Sequence, residues 1–426
     1  AVPLNFRFTA DDIRYCADIA EARTILFSED FIDRIDKIKT NLKGMKDFLF
    51  CGPKDLTPSY AQHWDDLLKG ASTAEPKTPI SLLDEAALYF TSGTTGQPKP
   101  ILLTHRNLEH ACIVENRHHN QTHKDNFICI PPLYHTGAKM HWFGGFIVGA
   151  KGVLLKGAKP EWILQAISEE QGTIMFLLVP WAQDILVAIE NGQIKLKDYK
   201  LDQWRLMHIG AQPVPPALIR NWRKVFPKQD YDTNYGLSES TGPGCVHLGI
   251  ENSHKVGSIG QPGFDWEYRI VDDQMRNVKK GEPGELAVRG PGVMSEYYRN
   301  PEATQKTLID GWLMTGDMAR VDEDGFITIV DRKADFIKSY GHRVSSQQIE
   351  EEILRLHDVA AAAAVGVPDP VKGEAIVVYA VVRTGSGLGE EEILAHCRQK
   401  LARHMWPGEV VLVDSLPMNA QGKFVK

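Results

Sequence analysis

Between Asp125 and Gly236, short unbroken apolar runs alternate with amphipathic ones across brief connections. "FICIPPL", "GVLLK", "TIMFLLV", "WRLMHIG" and "DYDTNYG" read as strands, and "MHWFGGFIVGA", "PEWILQAISEE", "WAQDILVAIE" and "PPALIRNWRKVF" as helices. A strand that is apolar on both faces has to be covered on both. The pattern therefore predicts a parallel sheet between two layers of helix. Pro160 fits as a helix start, because a first turn has no use for the missing N–H. In such sheets ligands bind beyond the carboxyl ends of the strands, so the residues just after each strand become candidates.

From about Lys255 the texture changes. Short strands such as "GELAVRG" and "GFITIV" alternate with Gly, Pro and Asp turns, which predicts a smaller antiparallel sheet or barrel without helix. After "DRKADFIK" helices return. "SSQQIEEEILRLHD" carries Ser345 and Gln348 at capping-box spacing, with Ile349, Ile353 and Leu356 on one face. "EAIVVYAVVR" and "EVVLVD" read as strands around the helix "EEEILAHCRQKLA", and the Ala-rich "AAAAAVGV" ends in a strand-like pattern. A chain of 426 residues is too long for one ordinary core. The expected fold class is α/β, with parallel sheets covered by helices plus a small β-barrel-like part, followed by a small α+β domain. The expected boundaries are 1–333 for the large domain, with 255–333 as its β-rich subdomain, and 334–426 for the small one.

Composition removes several function classes. Hydrophobic residues make up 43% and charged residues 24%, and 48 basic against 55 acidic side chains leave a net charge of -7. That balance gives no electrostatic ground for nucleic acid or an anionic membrane as partner. Six cysteines without a CxxC pair argue against a disulfide framework or a zinc site and suit a reducing cytoplasm. The run "TIMFLLVPWA" is too short to span a bilayer, so no transmembrane segment is expected. His118, His119 and His123 lie close together, but without HExxH they give no expectation of a metal site. "VDEDG" lacks the remaining ligands of a calcium loop. The opening "AVPLNFRFTADDIRY" has no Met and is already strand-like, which suggests a start inside a domain.

The densest chemistry is "TSGTTGQPKP" at 91–100. Gly93 and Gly96 let the backbone take positive φ and approach a ligand closely. Successive N–H groups in such a turn form an anion-binding concavity. Thr91, Ser92, Thr94 and Thr95 add hydroxyls and Lys99 a cation, a set suited to a polyphosphate. The spacing excludes a Walker A loop. "ILLT" follows directly, so the loop is expected to join two strands. Composition alone also fits an ordinary surface turn.

"TSGTTGQPK" followed by "NYGLSES", "TGDMARVDEDGFITIVDRKADFIK" and a terminal "GK" resembles the acyl-adenylate-forming superfamily. That superfamily comprises acyl-CoA synthetases, the adenylation domains of nonribosomal peptide synthetases, and luciferases. The resemblance runs over essentially the whole chain with the motifs in family order. It implies that a carboxylate attacks the α-phosphorus of ATP, and that a thiol, usually coenzyme A, then displaces AMP. Such chemistry rests on positioning and charge stabilisation.

By the same resemblance Tyr235 would stack on adenine and Gly236 would share that contact. Ser238 would meet the α-phosphate, and Glu239 would associate with Mg2+. Gly210 and Ala211 would flank the adenine. Asp317 would bind the ribose hydroxyls and Arg332 would contact the ribose, although without the family they read as a turn cap and a surface charge. His135 would lie near the acyl carboxylate, or else be a satisfied core histidine. Ala334 falls at the hinge, where Asp or Lys is common. Gly341 would line the coenzyme A tunnel, and Lys423 would be the catalytic Lys on a mobile C-terminal lid. Gln348 stands where Glu is usual. Pro100 replaces the Gly that usually ends the phosphate loop, and so stiffens its exit. The family carries a further N-terminal segment ahead of a stretch like "VPLNFRFT". Either this sequence is a fragment or the segment lies upstream of it; if those residues were truly missing, one sheet would have an exposed edge. "GLSES" ends in Ser240 where a nucleophile elbow needs Gly.

Amino-acid-activating relatives hold the α-ammonium with an Asp that "PLYHTGAKMHWFGG" lacks. Trp142, Phe143, Gly144 and Gly145 suggest an apolar acyl tunnel for a medium- or long-chain fatty acid or an aryl acid; they also read as a packed helix. The expectation is an acyl-CoA synthetase using ATP, Mg2+ and coenzyme A, with small-molecule partners. A homodimer is compatible with it. The alternatives are a ligase loading a carrier-protein thiol and a nucleotide-binding protein without turnover.

Overall fold

The computed structural model describes residues 1–91, 98–333, 335–339, 342–383 and 385–417. The chain divides into two compact units, Ala1–Arg106 with Met294–Pro301, and Asn107–Val293 with Glu302–Lys426.

In the first unit, strands Thr24–Phe27, Asp47–Phe50 and Gln62–His63 form a parallel sheet. Helix Ala10–Ile19 starts at Thr9, whose hydroxyl accepts from the Asp12 N–H at 3.2 Å while the Asp12 carboxylate accepts from the Thr9 N–H at 2.9 Å. Ile13 and Cys16 from this helix, and Ile35 and Ile38 from helix Ile32–Ile38, join Phe8, Phe27 and Phe50 in one core. Strands Glu85–Thr91 and Lys99–Thr104 make an antiparallel hairpin, extended by Glu296–Tyr297 on the far side of Lys99–Thr104. The glycine-rich stretch is therefore flanked by two strands, as the sequence indicates.

The second unit contains the parallel sheet, in the order Asp230–Asp232, Leu206–Gly210, Ile174–Leu178, Asn126–Cys129, Lys151–Leu154. Alternation along each strand sorts its residues between two cores. Met175, Leu177, Met207 and Ile209 face Ile163, Ile185, Ile219 and Trp222 from helices Pro160–Glu170, Val179–Glu190 and Pro216–Val225. Phe127, Cys129, Ile174, Phe176 and Leu206 share the other core with Ala138 from helix Thr136–Val148. Each Leu, Ile, Met or Phe among them contributes about 1.5–3 kcal/mol when fully buried.

One expected strand is two. "DYDTNYG" leaves the parallel sheet after Asp232. Asn234–Leu237 belongs to a separate antiparallel sheet with Gly242–His247 and Gln261–Pro262. The Thr233 carbonyl accepts from the Leu248 N–H at 2.9 Å at the changeover. Strand periodicity continues through the switch, so a pattern cannot reveal it.

Further on, Glu267–Val271, Gly284–Arg289, Trp312–Val321 and Leu308–Ile309 form an antiparallel sheet, and Ile327–Arg332 also pairs with Trp312–Val321. The expectation of no helix here fails at Pro301–Thr307, which buries no residue and so shows no apolar period. The C-terminal portion has Gly373–Val382 between Val359–Asp369 and Glu409–Leu412, with helices Ser346–Ile353 and Glu390–Lys400 packed alongside. Ser345 caps the first of these by accepting from the Gln348 N–H at 3.1 Å. The Ala-rich run is strand throughout, because pairing along Gly373–Val382 overrides helix propensity. No helix of the described residues is long and apolar enough to cross a membrane.

Candidate functional site

Asp317 lies in strand Trp312–Val321, directly opposite Arg332 in the antiparallel ladder. Register therefore delivers the contact: Arg332 Nε sits 2.7 Å from Asp317 Oδ1. The other oxygen, Oδ2, accepts a short hydrogen bond from the Tyr235 hydroxyl, which arrives on strand Asn234–Leu237. Asp317 is buried, while the Arg332 side chain keeps 49% exposure. Burial and the Asp317 carboxylate hold the Tyr235 phenol well above its usual range, so it remains a donor. Three residues separated widely in sequence thus meet at one carboxylate.

A second carboxylate, which the sequence reading missed, fixes this arrangement. Glu285 is buried in strand Gly284–Arg289. Its Oε1 accepts from the Gly316 N–H at 3.0 Å, and its Oε2 accepts from Lys333 Nζ at 2.8 Å. Gly316 takes φ 73, and its carbonyl accepts from the Lys333 N–H at 2.8 Å. Asp273 also lies 2.8 Å from Lys333 Nζ, and together Asp273 and Glu285 raise the pKa of that amine. Glu285 thereby holds the residue before Asp317 and the residue after Arg332. The available signal was an acid at the second position of "GELAVRG", directly before the core residues Leu286, Ala287 and Val288.

Gly210 ends strand Leu206–Gly210, and a Cβ there would stand 3.5 Å from Asn234 Oδ1, at the start of the strand that carries Tyr235 and Gly236. Ala211 follows in left-handed backbone at φ 67. Ser238 and Glu239 lie in a short turn at Ser238–Ser240 and keep partial exposure. Ser240 Oγ accepts from the Leu237 N–H at 2.8 Å. Thr241 closes the turn at φ 65, fully buried, with its hydroxyl donating to the Gly292 carbonyl at 2.5 Å. A β-branched residue in that conformation is held by its surroundings, and such residues cluster at functional sites. Sequence reading missed Thr241, which carries no motif signal. Next to it, a Cβ on Gly242 would lie 2.9 Å from Thr136 Oγ1. The Glu239 turn is thus packed against the start of helix Thr136–Val148, whose N-cap is His135. The His135 ring lies 4.3 Å from that of Tyr134.

Helix Thr136–Val148 carries "HWFGG". A Cβ on Gly144 would lie 2.8 Å from Asn116 Oδ1, and Asn116 Nδ2 donates to the Gly144 carbonyl at 2.9 Å. This glycine allows two helices to approach closely. Trp142 and Phe143 are partly buried and stack at 5.4 Å.

Within the first unit, Thr91 pairs with Lys99 at the end of the hairpin next to the connecting segment, with Lys99 Nζ 5.3 Å from the centroid of the Tyr297 ring. Ser92, Gly93, Thr94, Thr95, Gly96, Ala334, Gly341 and Lys423 lie outside the described residues.

Residues 1–298 match the family described as AMP-binding enzyme, and residues 348–423 match the AMP-binding enzyme C-terminal domain. The chain belongs to the AMP-binding enzyme family. Peroxisomal OPC-8:0-CoA ligase 1 of Arabidopsis thaliana is 31% identical over 413 residues, covering 88% of this chain and 75% of that protein. Feruloyl-CoA synthase of an Amycolatopsis species is 33% identical over 361 residues, covering 84% and 72%. The structure of o-succinylbenzoate CoA synthetase from Bacillus subtilis with its acyl-adenylate intermediate superposes with a TM-score of 0.85 at 25% identity, covering 100% of this chain and 81% of that one. This chain is therefore an AMP-forming acid–thiol ligase of the acyl-CoA and aryl-CoA ligase group.

Proposed function

We propose that the protein activates a medium- or long-chain fatty acid, or an aryl acid, as its acyl-adenylate from ATP and then passes the acyl group to coenzyme A. The observation that carries this reading is the Tyr235–Asp317–Arg332 constellation. A buried carboxylate with two oxygens held in fixed directions suits a vicinal diol, and the neighbouring guanidinium and phenol orient it. On this reading Asp317 and Arg332 hold the ribose. Tyr235, Gly236, Gly210 and Ala211 border the base, and Ser238 meets the α-phosphate. The hydroxyls and glycines of 91–96, with Lys99, take the phosphate tail. His135 lies near the acyl carboxylate, and Lys423 supplies the ammonium at the bond being formed. Ala334 is the hinge and Gly341 the thiol channel.

Mg2+ suits the donor set at Glu239, a partly exposed carboxylate in a polar turn, since Mg2+ usually takes one or two carboxylates together with phosphate oxygens. When bound there it would offset phosphate charge. The chain's own part is to position two anions against each other, which is worth more than proton transfer in this reaction. Partly buried Trp142 and Phe143, on the helix that His135 caps, favour an apolar acid.

Hydroxylamine trapping with ATP and a panel of acids, followed by coenzyme A-dependent AMP release, tests the reading. Hydroxamate from an apolar acid, with AMP release requiring coenzyme A, is the expected result. Trapping without coenzyme A dependence would indicate a carrier-protein acceptor instead.

A further inference from the structure

Six side chains with no part in the reaction above meet in the buried interior of the second unit. Glu115 comes from helix His105–His118, His119 from just beyond it, and His141 from helix Thr136–Val148. His208 comes from Leu206–Gly210, Asp232 from Asp230–Asp232 and His247 from Gly242–His247. The first five are 0% exposed and His247 is 2% exposed. His119 finds its partners 89 and 113 residues away, while the neighbouring His123 is exposed. The local HExxH test applied to the sequence could not detect such a cluster.

The geometry is specific. His119 Nε2 lies 3.2 Å from His208 Nδ1 and 3.0 Å from Asp232 Oδ2, and His208 Nδ1 lies 3.4 Å from Asp232 Oδ2. Ligand atoms around a tetrahedral ion with bonds of about 2.0–2.1 Å are separated by roughly 3.3 Å. Glu115 Oε2 lies 3.8 Å from His119 Nε2, and the donor atoms of Glu115, His119 and His208 all fall within 4.8 Å of one another. That oxygen is buried and accepts no hydrogen bond among the described residues, although His141 Nδ1 is 3.2 Å away. His247 orients both carboxylates, with Nδ1 3.1 Å from Asp232 Oδ2 and Nε2 3.0 Å from Glu115 Oε1. Among the described residues, the ion-pair partners of Glu115 and Asp232 are all imidazoles. Two fully buried carboxylates whose ion-pair partners are imidazoles alone are costly, and a divalent cation balances them.

We propose that His119, His208 and Asp232, with Glu115 as fourth donor, form a buried structural site for a four-coordinate divalent transition metal of the zinc type. Its four protein donors leave no open position for chemistry. Its place in the fold gives it a purpose. His208 is two residues before Gly210 and Asp232 three before Tyr235, and Asn234 Nδ2 donates to Glu115 Oε1 at 2.9 Å. A metal here fastens together the strands that end in the nucleotide-contacting segments.

The test uses the untagged 426-residue chain, refolded with zinc or without it, gel-filtered and analysed for metal by mass spectrometry. The expected result is about one zinc per chain, with a melting temperature several degrees above that of the zinc-free preparation. Cobalt in place of zinc should give the intense visible bands of a tetrahedral complex. His208→Gln should remove these bands and His123→Gln should leave them intact. Because the zinc and cobalt measurements are made on the wild-type chain, they do not depend on whether a variant folds. Zinc far below stoichiometric with an unchanged melting temperature would overturn the site and leave imidazolium protons as the balancing charge. Cobalt bands of octahedral form, or bands lost with His123→Gln, would overturn it equally.

Discussion

Ala211 and Thr241 both take left-handed backbone, one directly after the strand end at Gly210 and the other directly after the Glu239 turn. An L-residue pays about 1–2 kcal/mol for that conformation, which makes its side chain a sensitive probe. Ala211→Gly should relieve the strain while loosening the unfolded chain by about 0.4–1 kcal/mol, so stability should stay level or rise slightly. Ala211→Val puts a branched Cβ into the same conformation and should cost more than about 1 kcal/mol. Denaturant midpoints at unchanged m-value measure both. A stabilised valine variant would mean that the backbone there is not held as described.

The strand segment that carries Asp317 depends on a strand-to-strand tie. Glu285→Ala leaves the Gly316 N–H without its acceptor, a loss of about 1–3 kcal/mol, whereas Glu285→Gln keeps an acceptor and loses only the half-exposed charge pair with Lys333. Steady-state kinetics should show a raised KM for ATP in the alanine variant, largely restored by glutamine, with kcat less affected. Equal loss in both variants would assign the effect to the Lys333 pair. A second tie joins Arg205, at the head of strand Leu206–Gly210, to Asp125 through Nε at 2.9 Å and a terminal nitrogen at 3.1 Å. Burial works to raise the Asp125 pKa, but the Arg205 guanidinium and the Thr122 N–H more than offset it, leaving it lowered. A lowered folded pKa stabilises above the unfolded value of about 3.9, and that contribution fades as pH falls through the folded value. Asp125→Asn should therefore be less stable than wild type near neutrality, with the gap closing in acid; a gap constant with pH would exclude the charge as its cause. The helices and strands from Asp125 to Val225 were legible in the sequence because their periods are local, and Ser345 was legible as a cap for the same reason. The change of sheet at Thr233 and the helix Pro301–Thr307 were not, since neither alters a local apolar period.

The site as a whole was legible only through ordered motifs, and physics explains where that reading stops. Tyr235, Asp317 and Arg332 could be named from their motifs, but their meeting at one carboxylate depends on register between strands far apart in sequence. Glu285, Thr241 and the buried histidines carry no motif, because their roles are created by contacts over tens to more than a hundred residues. Family membership fixes the reaction class, while the identity of the nucleotide-holding carboxylate is a claim about this molecule. It is tested most directly by comparing the binding of ATP and its dideoxyribose analogue to the wild-type chain and to Asp317→Asn. A charge-assisted hydrogen bond is worth about 1.5–3 kcal/mol, so wild type should bind the analogue roughly ten- to a hundredfold more weakly, and most of that difference should vanish in the variant. An equal penalty in both proteins would show that Asp317 does not hold the ribose and would contradict the account at its centre.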